Sequence, residues 1–161
     1  TEDIKLLDYR IGLMNMFEKP SPKTVQDLNA EEVRQAQINL NRKIKFFKPK
    51  IVAFNGKSIY ETYIGTNVKS DFNFGKQPIF FDNNNTNIIM FVLPSSSARC
   101  SQLPKVIDKV PFYTALRKLR EHLNGLLPGL TDLDIMFPDF KVAMNTGAVA
   151  AAELKIESEF G

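Results

Sequence analysis

Apolar residues recur along this chain in two registers, one helical and one continuous, and polar stretches between them mark turns. Val33, Ala36, Leu40, Ile44 and Phe47 fall three or four residues apart, the spacing that lines one face of a helix. Asn29 and Glu32 just before them have the arrangement of a capping box, with Asn in place of Ser or Thr. Lys43, Lys45 and Lys48 suit the negative end of that helix, and Pro49 stops it. A second stripe, Val106, Val110, Tyr113, Leu116, Leu119 and Leu123, predicts a helix over 105–124, with Gly125 as its C′ residue. The other register is an unbroken apolar run. Ile51–Phe54 and Ile88–Leu93 have the composition of strands buried on both faces in a parallel sheet. Tyr9–Phe17 is apolar-rich up to the turn at Pro20 and Pro22 and reads as a third buried strand. Asn55-Gly56-Lys57 turns the chain into a short helix, Ser58–Tyr63. The polar, Asn-rich stretch 66–87 holds one strand, Ile79–Phe81, and an exposed turn at Asn83-Asn84-Asn85.

Strands alternating with helices predict an α/β layered domain with a mainly parallel central sheet. The pattern holds over 1–125 and degrades over 126–161, where Pro128, Gly129 and Pro138 interrupt it. That C-terminal extension reads as partly helical or disordered, with Ala143–Glu159 one isolated helix at most. At 161 residues the chain is long enough for one domain with a substantial core. A net charge of +3 is mildly basic and compatible with a nucleic-acid partner. The single cysteine rules out an internal disulfide and suits a reducing intracellular compartment. No apolar run has the length of a membrane span.

The candidate chemistry lies in Leu93–Pro104, LPSSSARCSQLP, at the carboxyl end of a predicted strand, where open α/β sheets place their sites. Three serine hydroxyls and free backbone N–H groups suit phosphate oxygens, and Arg99 reaches beyond the loop tip. Competing chemistry finds little support. His122 is the only histidine and sits among Arg117, Lys118, Arg120 and Glu121 on a helix. One His and one Cys are too few for a zinc site, so no metal is expected. Cys100 lies beside Arg99, but a nucleophilic cysteine would still want a histidine partner. Neither a P-loop nor a G-x-G-x-x-G fingerprint occurs.

Four segments, IGLMNMFEK (11–19), IVAFNGKSIYE (51–61), FGKQP (74–78) and LPSSSARCSQLPKVIDKV (93–110), resemble the thymine DNA glycosylase branch of the uracil-DNA glycosylase superfamily. The resemblance spans about Asp8 to Asn124. It implies a three-layer αβα sandwich and a cofactor-free, metal-free nuclear enzyme. That enzyme flips uracil, thymine or a modified cytosine out of a G·U or G·T mismatch in double-stranded DNA and hydrolyses the N-glycosidic bond. It also implies residue roles. Arg99 fills the gap left by the flipped base, a task that suits a planar, permanently charged guanidinium. Ala98, Gln102 and Pro104 meet the widowed guanine. Ser95, Ser96, Ser97 and Lys57 hold phosphates, and Lys69 is a further candidate. Asn15 reads the flipped pyrimidine, and Ser21 stands where the family has a threonine near the attacking water. Simple loop packing, a solvated lysine and a buried structural asparagine remain the alternatives for these positions.

The family's GxNPG-type motif, whose asparagine positions the hydrolytic water, does not occur in this sequence. The resemblance therefore implies that the first catalytic strand is lacking, that this chain alone does not cut, and that a destabilised or associating sheet results. The alternative is a non-catalytic DNA-binding or regulatory derivative of the same fold. Leu154-Lys155-Ile156-Glu157 resembles the acceptor motif for small ubiquitin-like modifiers, with Lys155 as the modified residue and an exposed amphipathic tail as the other reading.

Overall fold

Strand β3 (Thr86–Leu93) is the hub of the sheet, because its apolar run can bury both faces. Ile88, Met90, Phe91, Val92 and Leu93 are all buried, and Phe91 and Val92 expose nothing. The computed structural model describes residues 2–17, 28–68, 71–97 and 103–138. These fall into two units, one ending at Phe47 and one beginning at Lys48.

In the first unit, α1 (Glu2–Asp8) ends on a six-to-one bond from the Ile11 N–H to the Leu6 carbonyl, with Arg10 in the left-handed region. The stretch that follows is extended coil without strand pairing, and Leu13 and Met14 are exposed. This overturns the buried strand expected over Tyr9–Phe17. An apolar run becomes a strand only where a neighbouring backbone accepts its N–H and C=O groups, and among the described residues none does. Helix α2 (Ala30–Phe47) is as predicted, and its capping box is formed. The Glu32 N–H donates to Asn29 Oδ1 (2.8 Å) and the Asn29 N–H to Glu32 Oε2 (3.0 Å). Ala36, Leu40 and Ile44 are buried, whereas Phe47, the last member of the predicted stripe, is exposed.

In the second unit the sheet has three strands in the order β1-β3-β2. β1 (Ile51–Asn55) runs parallel to β3 with Ile51 opposite Ile89 and Asn55 opposite Leu93. β2 (Gly75–Asn83) runs antiparallel to β3. Asn84 and Asn85, both at positive φ, close the hairpin, the backbone that a tight two-residue hairpin turn demands. The fold is mixed α/β, with one parallel and one antiparallel pairing in place of the mainly parallel sheet expected. The reason lies in 66–87. The predicted strand Ile79–Phe81 is the middle of a nine-residue strand, interrupted by a register shift around Pro78, which cannot donate to the ladder. β1 is also less buried than its composition suggests. Only Phe54 is buried, because β1 lies at an edge of the sheet among the described residues.

Helix α3 (Lys57–Ile64) packs on β1 and β3, and α4 (Val106–Leu123) on β2 and β3. α4 ends in a Schellman motif in which the Leu126 N–H donates to the Glu121 carbonyl (2.9 Å) and the Gly125 N–H to the His122 carbonyl (3.0 Å). Its predicted apolar stripe holds only in part: of its six members Leu119 is buried and Leu116 and Leu123 are half-buried, while the first three face solvent. Lys109, Phe112, Ala115 and Leu119 are buried, while Val106, Val110 and Tyr113 are exposed. Phe112 sets the rotation of the helix by entering an aromatic core. That core runs Phe54–Tyr60–Phe72–Phe74–Phe112–Phe137 with ring centroids 4.3–6.2 Å apart. Beyond Gly125, α5 (Asp132–Ile135) buries Ile135, and Met136 bridges Gly75 of β2. The helix expected over 143–159 lies outside the described residues.

Candidate nucleic-acid interface

Because β1 and β3 are parallel neighbours in register, their carboxyl ends emerge side by side. β1 hands the chain through Gly56 to α3, and β3 hands it through the fully buried Pro94 to the serines. Gly56 sits at φ 120°, a conformation open chiefly to glycine, and a Cβ there would stand 3.6 Å from that of Ser95. The two segments are clasped to each other. Asn55 Nδ2 donates to Ser96 Oγ (2.8 Å), and the Ser96 N–H donates back to Asn55 Oδ1 (2.8 Å). A primary amide is the one side chain that supplies a donor and an acceptor in this two-point fashion. The Ser97 N–H bonds Ser95 Oγ (3.2 Å), which tightens the turn. From beneath, Lys109 Nζ donates to the Ser97 carbonyl (3.0 Å). Lys109 is only 5% exposed, so α4 and the loop are joined by a buried ammonium.

Of the residues singled out from sequence, Ser95, Ser96, Ser97 and Lys57 are brought to this one edge. Ser96 and Ser97 are exposed. Lys57 Nζ lies 3.9 Å from Glu61 and 5.3 Å from the centre of the Phe72 ring, so its cation is tethered at the α3 start. Pro104 is exposed and directly precedes Lys105, the N-cap of α4, in keeping with a helix-entry role. Asn15, expected near a strand end, lies in exposed coil of the first unit. Ala98, Arg99, Gln102, Ser21, Lys69 and Lys155 lie outside the described residues.

Two residues have structural tasks beyond what the sequence predicts: Asn55, expected only as part of the turn into α3, clasps Ser96, and Lys109, expected only within the segment that carries the resemblance, holds the Ser97 carbonyl. The signal for Asn55 is a polar residue closing an apolar strand just before a glycine. For Lys109 it is a charge on the buried side of an amphipathic helix.

Among the described residues no three His, Cys, Asp or Glu side chains gather as a metal site, and no helix is long and apolar enough to cross a membrane. The edge carries hydroxyls and lysines, groups that contact phosphate oxygens, whereas the Ser96 and Ser97 N–H groups, expected to be free, are engaged by Asn55 and Ser95. Compared with models of known protein families, the chain matches none.

Proposed function

We propose that this protein is a DNA repair glycosylase of the mismatch-directed type, acting on uracil or thymine opposite guanine. One observation carries the reading. The Asn55–Ser96 clasp makes the FNGK turn and the PSSS loop, the two segments most specific to the resemblance, into one rigid edge at the carboxyl ends of two parallel strands. In this reading the three strands and their helices belong to a three-layer αβα sandwich. The serine loop and Lys57 hold the phosphates that flank an extruded nucleotide, and Arg99 occupies the gap. Base extrusion costs a few kcal/mol, less at a mismatch, and that difference selects the mispair.

Hydrolysis needs an asparagine to position water, and the sequence has no GxNPG-type segment. A second reading, a DNA-binding derivative that does not cut, has no need of that segment. Both readings expect duplex binding by this chain, and Lys57→Ala should lower the log–log salt slope by about 0.9 per lost phosphate contact. An unchanged slope removes Lys57 from the interface. Uracil release from G·U duplex by a polypeptide that carries the water-positioning segment separates them: release supports the enzyme, and none supports the binder. In the active form, Arg99→Ala should impair excision from duplex more than from single strands, and equal loss would exclude the gap-filling role.

A further inference from the structure

The first half of the α4 stripe that the sequence predicts to be buried is open, and it continues the serine loop. Val106, Val110, Tyr113 and Arg117, spaced at i, i+4, i+7 and i+11, form one side of a groove of about 470 Å³ that Ser96 and Lys109 close at the loop end. That volume lies in the range of sites for small organic ligands, about 300–1,000 Å³. Val106 is 80%, Val110 46% and Tyr113 43% exposed, so an apolar floor with one aromatic ring faces solvent.

A cation lies at each end of this floor, Lys109 at the loop end and Arg117 at the other. Lys109 is nearly buried, bonds only the Ser97 carbonyl, and has no carboxylate at ion-pair distance among the described residues. At the far end Arg117 is exposed and only loosely paired, 3.8 Å from Glu121. An apolar, aromatic floor between two cations is complementary to a base with a phosphate on either side. A base shows its flat face only when unpaired, and aromatic platforms in cationic grooves bind such bases without regard to sequence.

We propose that the α4 groove holds an unpaired nucleotide of a DNA strand, its base against Tyr113 and Val110 and its flanking phosphates at Ser96–Lys109 and Arg117. The proposal rests on the reading of the serine loop as a DNA contact and adds a single-strand subsite to it.

The test compares the affinity of the full chain for a blunt duplex and for the same duplex carrying a short oligothymidine overhang, by fluorescence anisotropy at fixed salt. The overhang should tighten binding about fivefold or more, the scale of one stacked base. Tyr113→Ala and Val110→Glu should each abolish that gain and leave blunt-duplex affinity within about twofold, and Arg117→Gln should lower the salt slope for the overhung duplex by about 0.7, the value for one single-strand phosphate contact. Circular dichroism melts of these surface variants should match the parent. Equal affinity for both duplexes, or a gain that survives Tyr113→Ala and Val110→Glu, overturns the groove and leaves the duplex reading intact. Binding of overhangs and single strands without blunt duplex supports the groove and sinks the duplex reading. Absence of binding to any DNA overturns both.

Discussion

Asn55 and Ser96 exchange two hydrogen bonds across the gap between neighbouring segments, and this pair sets the geometry of the proposed DNA edge. The partners are exposed, so each bond contributes modestly, about 0.5–1.5 kcal/mol. Asn55→Ala should therefore lower stability by about 1–2 kcal/mol in chemical denaturation, and should weaken duplex binding by more than that loss of stability explains. Asn55→Asp is the sharper probe. It keeps the acceptor for the Ser96 N–H, loses the donor to Ser96 Oγ, and adds a negative charge where phosphates are proposed to sit. Duplex affinity should fall further than in Asn55→Ala, and the reverse order would show that the edge does not meet phosphate. Tyr63 offers a pH probe of the core. Burial, reinforced by the neighbouring Tyr60, pushes its phenol up to about 12. The folded state thus favours the neutral form, and the contribution of Tyr63 is complete below the ordinary tyrosine value near 10. As pH rises from about 10 to 12 the unfolded chain loses this proton first, so stability should fall across that window. The fall should be smaller in Tyr63→Phe when thermal midpoints are compared, and equal falls would place the effect elsewhere.

At the scale of elements, what was legible in the sequence was whatever local chemistry decides. The Asn29–Glu32 box, the stop at Pro49 and the Gly125 terminator are written in side chains that act within one turn, and each stands where expected. Long-range choices were not legible. Tyr9–Phe17 has the apolar content of a strand but no pairing partner among the described residues. The stripe expected on α4 runs from Val106 to Leu123, yet of its members only Leu119 is buried, and the helix is rotated so that Phe112 joins the aromatic core and Lys109 reaches the loop carbonyl. Hydrophobicity alone does not separate a core face from a binding face. The joint between β2 and α5 was equally invisible, since it depends on Gly75 meeting the backbone of Ile135 and Met136 from far along the chain. Gly75 lies at φ 95°, and a Cβ there would collide with the Ile135 carbonyl oxygen. Gly75→Ala should cost about 3 kcal/mol through strain and displacement of that carbonyl, seen as a lowered denaturation midpoint. A loss under about 1 kcal/mol would mean that α5 is not held against β2 in solution.

For the molecule as a whole, charge and topology bear on the proposed DNA edge in different ways. The net charge of +3 is small, so long-range attraction to a polyanion is weak and recognition depends on local geometry. Parallel pairing of β1 with β3 delivers the FNGK turn and the serine loop to one edge, and α4 locks that edge from below through Lys109. The resemblance carries the chemistry proposed for this loop, while the clasp that joins it to the FNGK turn became visible only once the strands were paired. The most direct test of the central claim is the ratio of affinities of this chain for a G·U duplex and for the same duplex with G·C at that position, measured at one salt concentration. The account expects tighter binding to G·U, and a marked drop in that ratio for Asn55→Ala. Equal affinity for the two duplexes, or a ratio untouched by Asn55→Ala, would contradict it.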